Sequence, residues 1–154
     1  MEGLRSLIDE EKVMKAVRKI IDKVPAVVIK RVKSTGKGVG DKFSPYSDAI
    51  IKKGEHKGMR WKDVRSEKGL QTGFKDFWFE GDMWQSYVVI KETVGGGIMR
   101  WTLGTTDGKT RRGSAYLSDI HSNKEGQFIL DITDDEWEKV SDEIWEEFVK
   151  TISV

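Results

Sequence analysis

The sequence predicts a single α+β domain over residues 1–154, an antiparallel sheet of about four strands flanked by N- and C-terminal helices. Three observations support this prediction. Apolar residues recur every three or four positions near both ends of the chain, and they alternate with polar residues in its second half. A length of 154 residues suits one hydrophobic core. Residues 33–75 interrupt the pattern, and we expect them to form an extended loop or arm.

The first helical segment should run from Ser6 to about Arg31. Pro25 lies inside it and has no N–H group, so it should either kink the helix or begin a second one. Thr35 and Gly36 should end the segment. Its apolar face is predicted from Leu7, Val13, Met14, Val17, Ile20, Ile21, Val24 and Val28.

Alternation then predicts a β-hairpin, with strands at Met83–Val94 and Ile98–Leu103 joined by a glycine turn at residues 95–97. On the second strand, Met99, Trp101 and Leu103 should share one face. Two further strands, Ala115–His121 and Gln127–Ile132, would bring the sheet to about four.

A C-terminal helix is predicted from Thr133, because Thr133 and Glu136 have the spacing of a capping box. We expect its apolar stripe to cover the sheet; the stripe consists of Trp137, Val140, Ile144, Phe148 and Ile152. Residues 131–147 also contain nine acids and one base. This acidic face is either simply solvated or complementary to a basic surface on a neighbouring subunit.

Composition argues against catalysis. The chain has no cysteine and two histidines, so we expect no disulfide, no metal site, no cofactor and no catalytic residues. Residues 36–40 read GKGVG, but they follow a helix and lack the rest of a phosphate-binding loop. Ser86, His121 and Asp82 could supply a triad, yet no nucleophile motif surrounds the serine. No apolar run is long enough to span a membrane, and we expect no membrane partner.

The basic run is the strongest candidate for function. Residues 33–75 contain eleven Lys or Arg against five Asp or Glu, whereas the whole chain has a net charge of only +1. Aromatic residues are interspersed among these charges. We expect a protein interface made of anchor residues and polar or charged contacts, namely Phe43, Pro45, Tyr46, Ser47, Lys52, Lys53, Arg60, Trp61 and Lys62.

A nucleic-acid-binding module is the alternative. Lysines and arginines can contact phosphates while aromatic rings stack on bases, and the basic run contains both. A net charge near zero and the acidic C-terminal helix count against a dedicated nucleic-acid binder.

The order of motifs resembles a known protein family. The residues that carry the resemblance are Gly40, Phe43, Pro45, Tyr46 and Ser47, then Gly81, Asp82, Met83 and Ser86, then His121, Gly126 and 128–130. Together they resemble the phage virion morphogenesis proteins of the tail-completion or head–tail connector type. The chain departs from that pattern at 77–81, where FWFEG replaces a segment that is usually aliphatic and ends in Thr-Gly.

The resemblance implies a structural role without catalytic residues. Such proteins are α+β subunits that form homo-oligomeric rings in the phage neck, assembled in the host cytoplasm and retained in the virion. Other neck, portal-side or tail proteins would then be partners, with possible passing contact with DNA.

Overall fold

The computed structural model describes residues 10–77, 82–95, 98–106 and 121–152. Within these ranges the chain is α+β, with helices before and after a β-hairpin. The elements are α1 (Glu10–Ile21), α2 (Val24–Thr35), α3 (Trp61–Glu67), α4 (Asp82–Gln85), β1 (Tyr87–Gly95), β2 (Ile98–Thr105) and α5 (Asp134–Ile152).

The prediction of about four strands is wrong, because the sheet in the described residues has two antiparallel strands. Residues 127–132 alternate like a strand but form none. The N–H group of Ile129 donates to the Ser122 hydroxyl (3.3 Å) instead of to a neighbouring strand. Residues 121–125 are helical, and the rest of the predicted strand Ala115–His121 lies outside the described residues.

The predicted pairing of the hairpin strands is confirmed. Val89 pairs with Leu103 and Glu92 with Trp101, with a β-bulge between Val89 and Lys91. Trp101 and Leu103 pack against the core, as their shared face predicts. The first strand begins later than expected, because Asp82–Gln85 is a short helix.

The break in the N-terminal helical segment is also confirmed. Pro25 lies in the first turn of α2, where a missing N–H group costs no hydrogen bond. At the other end, Gly36 takes a left-handed conformation (φ 64°) and its N–H group donates to the Val32 carbonyl (2.9 Å).

The core has two adjoining clusters. The first lies where α1, α2, α5 and the base of the hairpin meet; its buried members are Val13, Val17, Ile20, Ile21, Val24, Val28, Tyr87 and Val140. The second joins the end of α2 to the segments around it through Val32, Phe43, Trp84 and Ile129. Ile29 and Leu130 pack against both clusters, so the two form one continuous interior.

Helix α5 begins at the predicted capping box. The Thr133 N–H donates to the Glu136 carboxylate (3.0 Å), and the Glu136 N–H donates to the Thr133 hydroxyl (3.3 Å). The helix packs mainly along α1, with Val140 buried, instead of lying across the sheet as expected. Trp137 was predicted in the buried stripe but is exposed.

Gly36 offers a test of this fold. A Cβ atom there would lie 2.3 Å from the ring of Phe74, and its φ of +64° disfavours any L side chain. We expect Gly36→Ala to lower the free energy of unfolding by about 2–4 kcal/mol, from backbone strain plus overpacking. Urea denaturation measures this loss.

Gly69→Ala is the matched control. Gly69 has nearly the same φ (+67°) but nothing within 4 Å of its Cβ position, so only the backbone cost of about 1–2 kcal/mol should remain. Equal losses in the two variants would show that Phe74 does not constrain Gly36.

Candidate functional site

The basic run is folded against the rest of the subunit. Residues 37–44 form a short loop, with an isolated bridge between Lys37 and Lys42. Residues 46–76, which we call the basic lobe, contain α3 and a second bridge between Ile50 and Arg60. The expected arm is therefore a loop followed by a small structured lobe.

The loop is held by side chains from residues 125–127. The Gln127 amide accepts from the Gly40 N–H (3.0 Å) and donates to the Asp41 carbonyl (2.9 Å). The Glu125 carboxylate accepts from the Ser44 N–H (2.8 Å) and forms an ion pair with Lys75 (2.6 Å). These contacts connect both ends of the basic run to one short segment far along the chain.

Phe43 lies in the core. Its side chain is only 4% exposed and packs with Val32, Trp84 and Ile129. Its ring also meets that of Phe77 edge to face, at 4.9 Å between centroids. A ring in this position is occupied within the subunit and cannot serve as the exposed anchor that the sequence predicts.

Tyr46 is half-buried and belongs to a buried polar cluster. Its hydroxyl donates to Asp76 (2.9 Å), which also pairs with Arg65 (2.9 Å). The guanidinium group of Arg65 stacks over the Tyr46 ring, 4.4 Å from its centroid. Burial and the nearby Asp76 charge raise the pKa of Tyr46 far above its ordinary value. This cluster fixes the base of the basic lobe.

The sequence does not identify Arg65 and Asp76 as functional or structural partners. Both look like ordinary charges in a polar run, and no local spacing marks them as a pair. The Arg65 guanidinium additionally donates to the Gln71 carbonyl (2.8 Å), and the Trp84 indole donates to the Asp76 carbonyl (3.2 Å). Each charged group of the pair thus has a hydrogen-bonding partner besides the other, the Gln71 carbonyl for Arg65 and the Tyr46 hydroxyl for Asp76, as a buried ion pair requires.

The other predicted interface residues lie at the surface. Trp61 is 40% exposed and follows Arg60, whose guanidinium pairs with Asp63 (2.8 Å). Ile50, which is not among the predicted interface residues, is 60% exposed and bridged to Arg60. The remaining members, all exposed, are Pro45, Ser47, Lys52, Lys53 and Lys62. Their role at an interface stays a prediction.

Two side-chain groups contain residue types that also occur in catalytic sites. The Ser44 hydroxyl lies 2.6 Å from the Lys75 amine, and that amine is equally close to the Glu125 carboxylate, with which it forms an ion pair. Ser86 is buried, and the His121 ring packs on Phe77 at 4.7 Å.

No cluster of three or more potential metal-ligating His, Asp or Glu side chains occurs in the described part of the chain. Across those same ranges, no helix is both long and apolar enough to cross a membrane. No protein-family model matches the sequence, and no curated protein or solved structure matches it.

Burial of Phe43 makes a quantitative prediction. Phe43→Ala should lower the free energy of unfolding by about 3–5 kcal/mol, because it leaves a cavity among Val32, Trp84 and Ile129. Trp61→Ala, a control at an exposed aromatic residue of the same basic run, should cost about 1 kcal/mol. Denaturant titration of both variants decides the matter, and a cost for Phe43→Ala no larger than the control's would contradict the packing.

Glu125 makes the stability of the loop depend on pH. Burial acts to raise the pKa of Glu125, but hydrogen bonds from Lys75 and Ser44 outweigh it, so the pKa lies below its ordinary value of 4.5. The native state then binds fewer protons than the unfolded state. The stabilisation is complete above pH 4.5 and is lost as the pH falls through the lowered native pKa.

We therefore expect Glu125→Gln to lower the free energy of unfolding at pH 7 by about 1–2 kcal/mol and to flatten its fall below pH 4.5. Urea titrations at a series of pH values measure both effects. Glu67→Gln, at an exposed carboxylate in α3, should leave the profile close to that of the wild type. An unchanged acid limb in Glu125→Gln would refute the assignment.

Proposed function

We propose that this protein is a structural subunit of a tailed-bacteriophage neck, a head–tail connector or tail-completion protein that assembles into a homo-oligomeric ring in the virion. The resemblance of the motifs around residues 40–47 and 81–86 supports the family assignment. The observation that carries the assembly role is the presence of two oppositely charged surfaces on one subunit.

The positive surface is the basic lobe. Lys52, Lys53 and Lys62 are exposed there, close in sequence to the exposed apolar side chains of Ile50 and Trp61. The buried Arg65–Asp76 pair closes the lobe internally, and contacts of Asp76 with Trp84 and of Lys75 with Glu125 anchor it to the body, so a partner would meet a structured surface. Pre-ordered surfaces lose less conformational entropy on binding than disordered ones.

The negative surface is helix α5. It carries eight Asp or Glu against two Lys. Glu136 turns inward to Arg31 and Glu147 pairs with Lys150. The other six acids are exposed; they are Asp134, Asp135, Glu138, Asp142, Glu143 and Glu146.

Complementary charge on two different surfaces favours head-to-tail contact between copies. A self-paired dimer through either surface would bring like charges together, whereas contact between the basic lobe and α5 brings opposite charges together. Head-to-tail contacts form a ring when the rotation between subunits closes. In a neck, such a ring would also meet portal-side and tail proteins.

Nucleic-acid binding remains the second candidate, since Trp61 lies exposed close in sequence to several lysines and could stack on a base. Some of the cations in the basic run, however, already pair with carboxylates in the described part of the chain; these pairs are Arg60 with Asp63, Arg65 with Asp76 and Lys75 with Glu125. A transient contact with DNA passing through the ring is compatible with both candidates.

The mass of the purified protein tests the proposal. We expect native mass spectrometry to show a closed oligomer, and reversal of three charges (Lys52→Glu, Lys53→Glu and Lys62→Glu together) to shift it toward monomers. Lys15→Glu, at an exposed lysine of α1, should leave the oligomer intact. A wild-type protein that stays monomeric and binds DNA with a steep dependence on salt would support the nucleic-acid candidate instead.

A further inference from the structure

The far end of the β-hairpin exposes apolar side chains on both faces. Beyond the pair of Glu92 with Trp101, the next pair on the core-facing side is Val94 with Met99. The Val94 side chain is 59% exposed, and that of Met99 is exposed as well. On the opposite face, Ile98 is 54% exposed. We call residues 93–95 and 98–100 the hairpin tip.

This arrangement is unfavourable for an isolated subunit. A two-stranded hairpin is marginal without packing on at least one face, and among the described residues the contacts with the core lie toward its base, at Tyr87, Val89, Trp101 and Leu103. Alternation of polar and apolar residues would leave only polar side chains toward water, yet the tip exposes an apolar side chain on each face, Val94 on one and Ile98 on the other. Such a surface marks a site of contact with another protein.

A second apolar surface lies on α5. Trp137 and Trp145 are exposed two turns apart on one side of the helix, and Trp145 is 64% exposed although one of its faces stacks on Phe148 (5.7 Å). We call this pair the tryptophan stripe. The exposed acids Glu138 and Asp142 lie next to it along the helix.

We propose that the hairpin tip of one subunit packs on the tryptophan stripe of a second copy of this chain. This inference rests on the proposed function, since it names the apolar contact that would join neighbouring subunits. The hairpin tip would then be a second interface element of the subunit, in addition to the basic lobe.

Charge favours this pairing over the alternatives. Lys91 and Arg100 are exposed at or next to the tip, whereas Glu92 is drawn toward Arg18 (3.4 Å). Two tips in contact would therefore bring cations close to cations, and two α5 helices in contact would bring acids close to acids. Contact between the hairpin tip and the tryptophan stripe instead places Lys91 and Arg100 beside Glu138 and Asp142, and it buries the apolar side chains of both surfaces.

Substitutions at the tip test the contact. Val94→Asp and Ile98→Asp should each weaken self-association at least tenfold, equivalent to about 1.4 kcal/mol, measured by sedimentation across a concentration series. Val88→Asp places the same charge at an exposed valine near the start of β1, away from the tip and from Lys91, and should leave association near that of the wild type. Unaltered association in both tip variants would overturn the proposal.

Cysteine cross-linking tests the geometry independently of stability. The chain has no cysteine, so introduced ones react alone. A Thr93→Cys, Glu138→Cys double variant treated with a short bis-maleimide should give a ladder of cross-linked species up to the full oligomer. Dimers formed by either single variant, or no ladder from an assembled double variant, would overturn the tip-to-stripe contact.

The two proposals fail differently. In one case the wild type assembles, the lysine reversals disperse it, the tip variants associate like the wild type and the double-cysteine variant gives no ladder. The ring proposal then stands and the hairpin contact is wrong. If the wild type remains monomeric at every concentration, both are wrong.

Discussion

The fold depends most on one guanidinium group, that of Arg31 near the end of α2. Its Nε donates to the Glu136 carboxylate (2.9 Å), one terminal nitrogen donates to the Lys37 carbonyl (3.1 Å), and the other to the Asp131 carbonyl (2.5 Å). The planar fork of donors therefore fixes three segments at once: α2, the start of the basic run and the start of α5. Glu136 also closes the capping box of α5, so the same carboxylate links helix initiation to tertiary packing.

Beyond the residues that Arg31 contacts, ion pairs help to fix the conformation of the basic run. Desolvating Arg65 and Asp76 is costly, and such a pair is weak evidence for net stability. Its geometric effect is clearer, because the Tyr46 hydroxyl donates to the Asp76 carboxylate, the Gln71 carbonyl accepts from Arg65, and the Trp84 indole donates to the Asp76 carbonyl. The remaining lysines therefore project from a fixed base. The run thus uses part of its charge for folding and presents the rest at the surface.

Local signals in the sequence predicted the local structure well. Pro25, Gly36 and the Thr133–Glu136 box each act within one helical turn, and the pairing of the hairpin follows from alternation over neighbouring residues. Features set by distant contacts escaped prediction. Burial of Phe43 depends on Ile129, and residues 127–132 alternate like a strand while their backbone bonds to Ser122. Nor does the sequence distinguish the buried Arg65 from its exposed neighbours.

In the proposed assembly, exposed charges and exposed apolar surface would make different contributions. Exposed charges are screened beyond roughly 10 Å at moderate salt, so they mainly steer encounter and reject wrong orientations. Burial of apolar area supplies most of the affinity. A tip carrying Val94 and Ile98 alone would risk indiscriminate association, as exposed strand ends do. Repulsion between Lys91 and Arg100 of one tip and those of another disfavours association of two tips. In the proposed contact, the same cations would attract the acids of α5 and would also keep free subunits from associating through their hairpins.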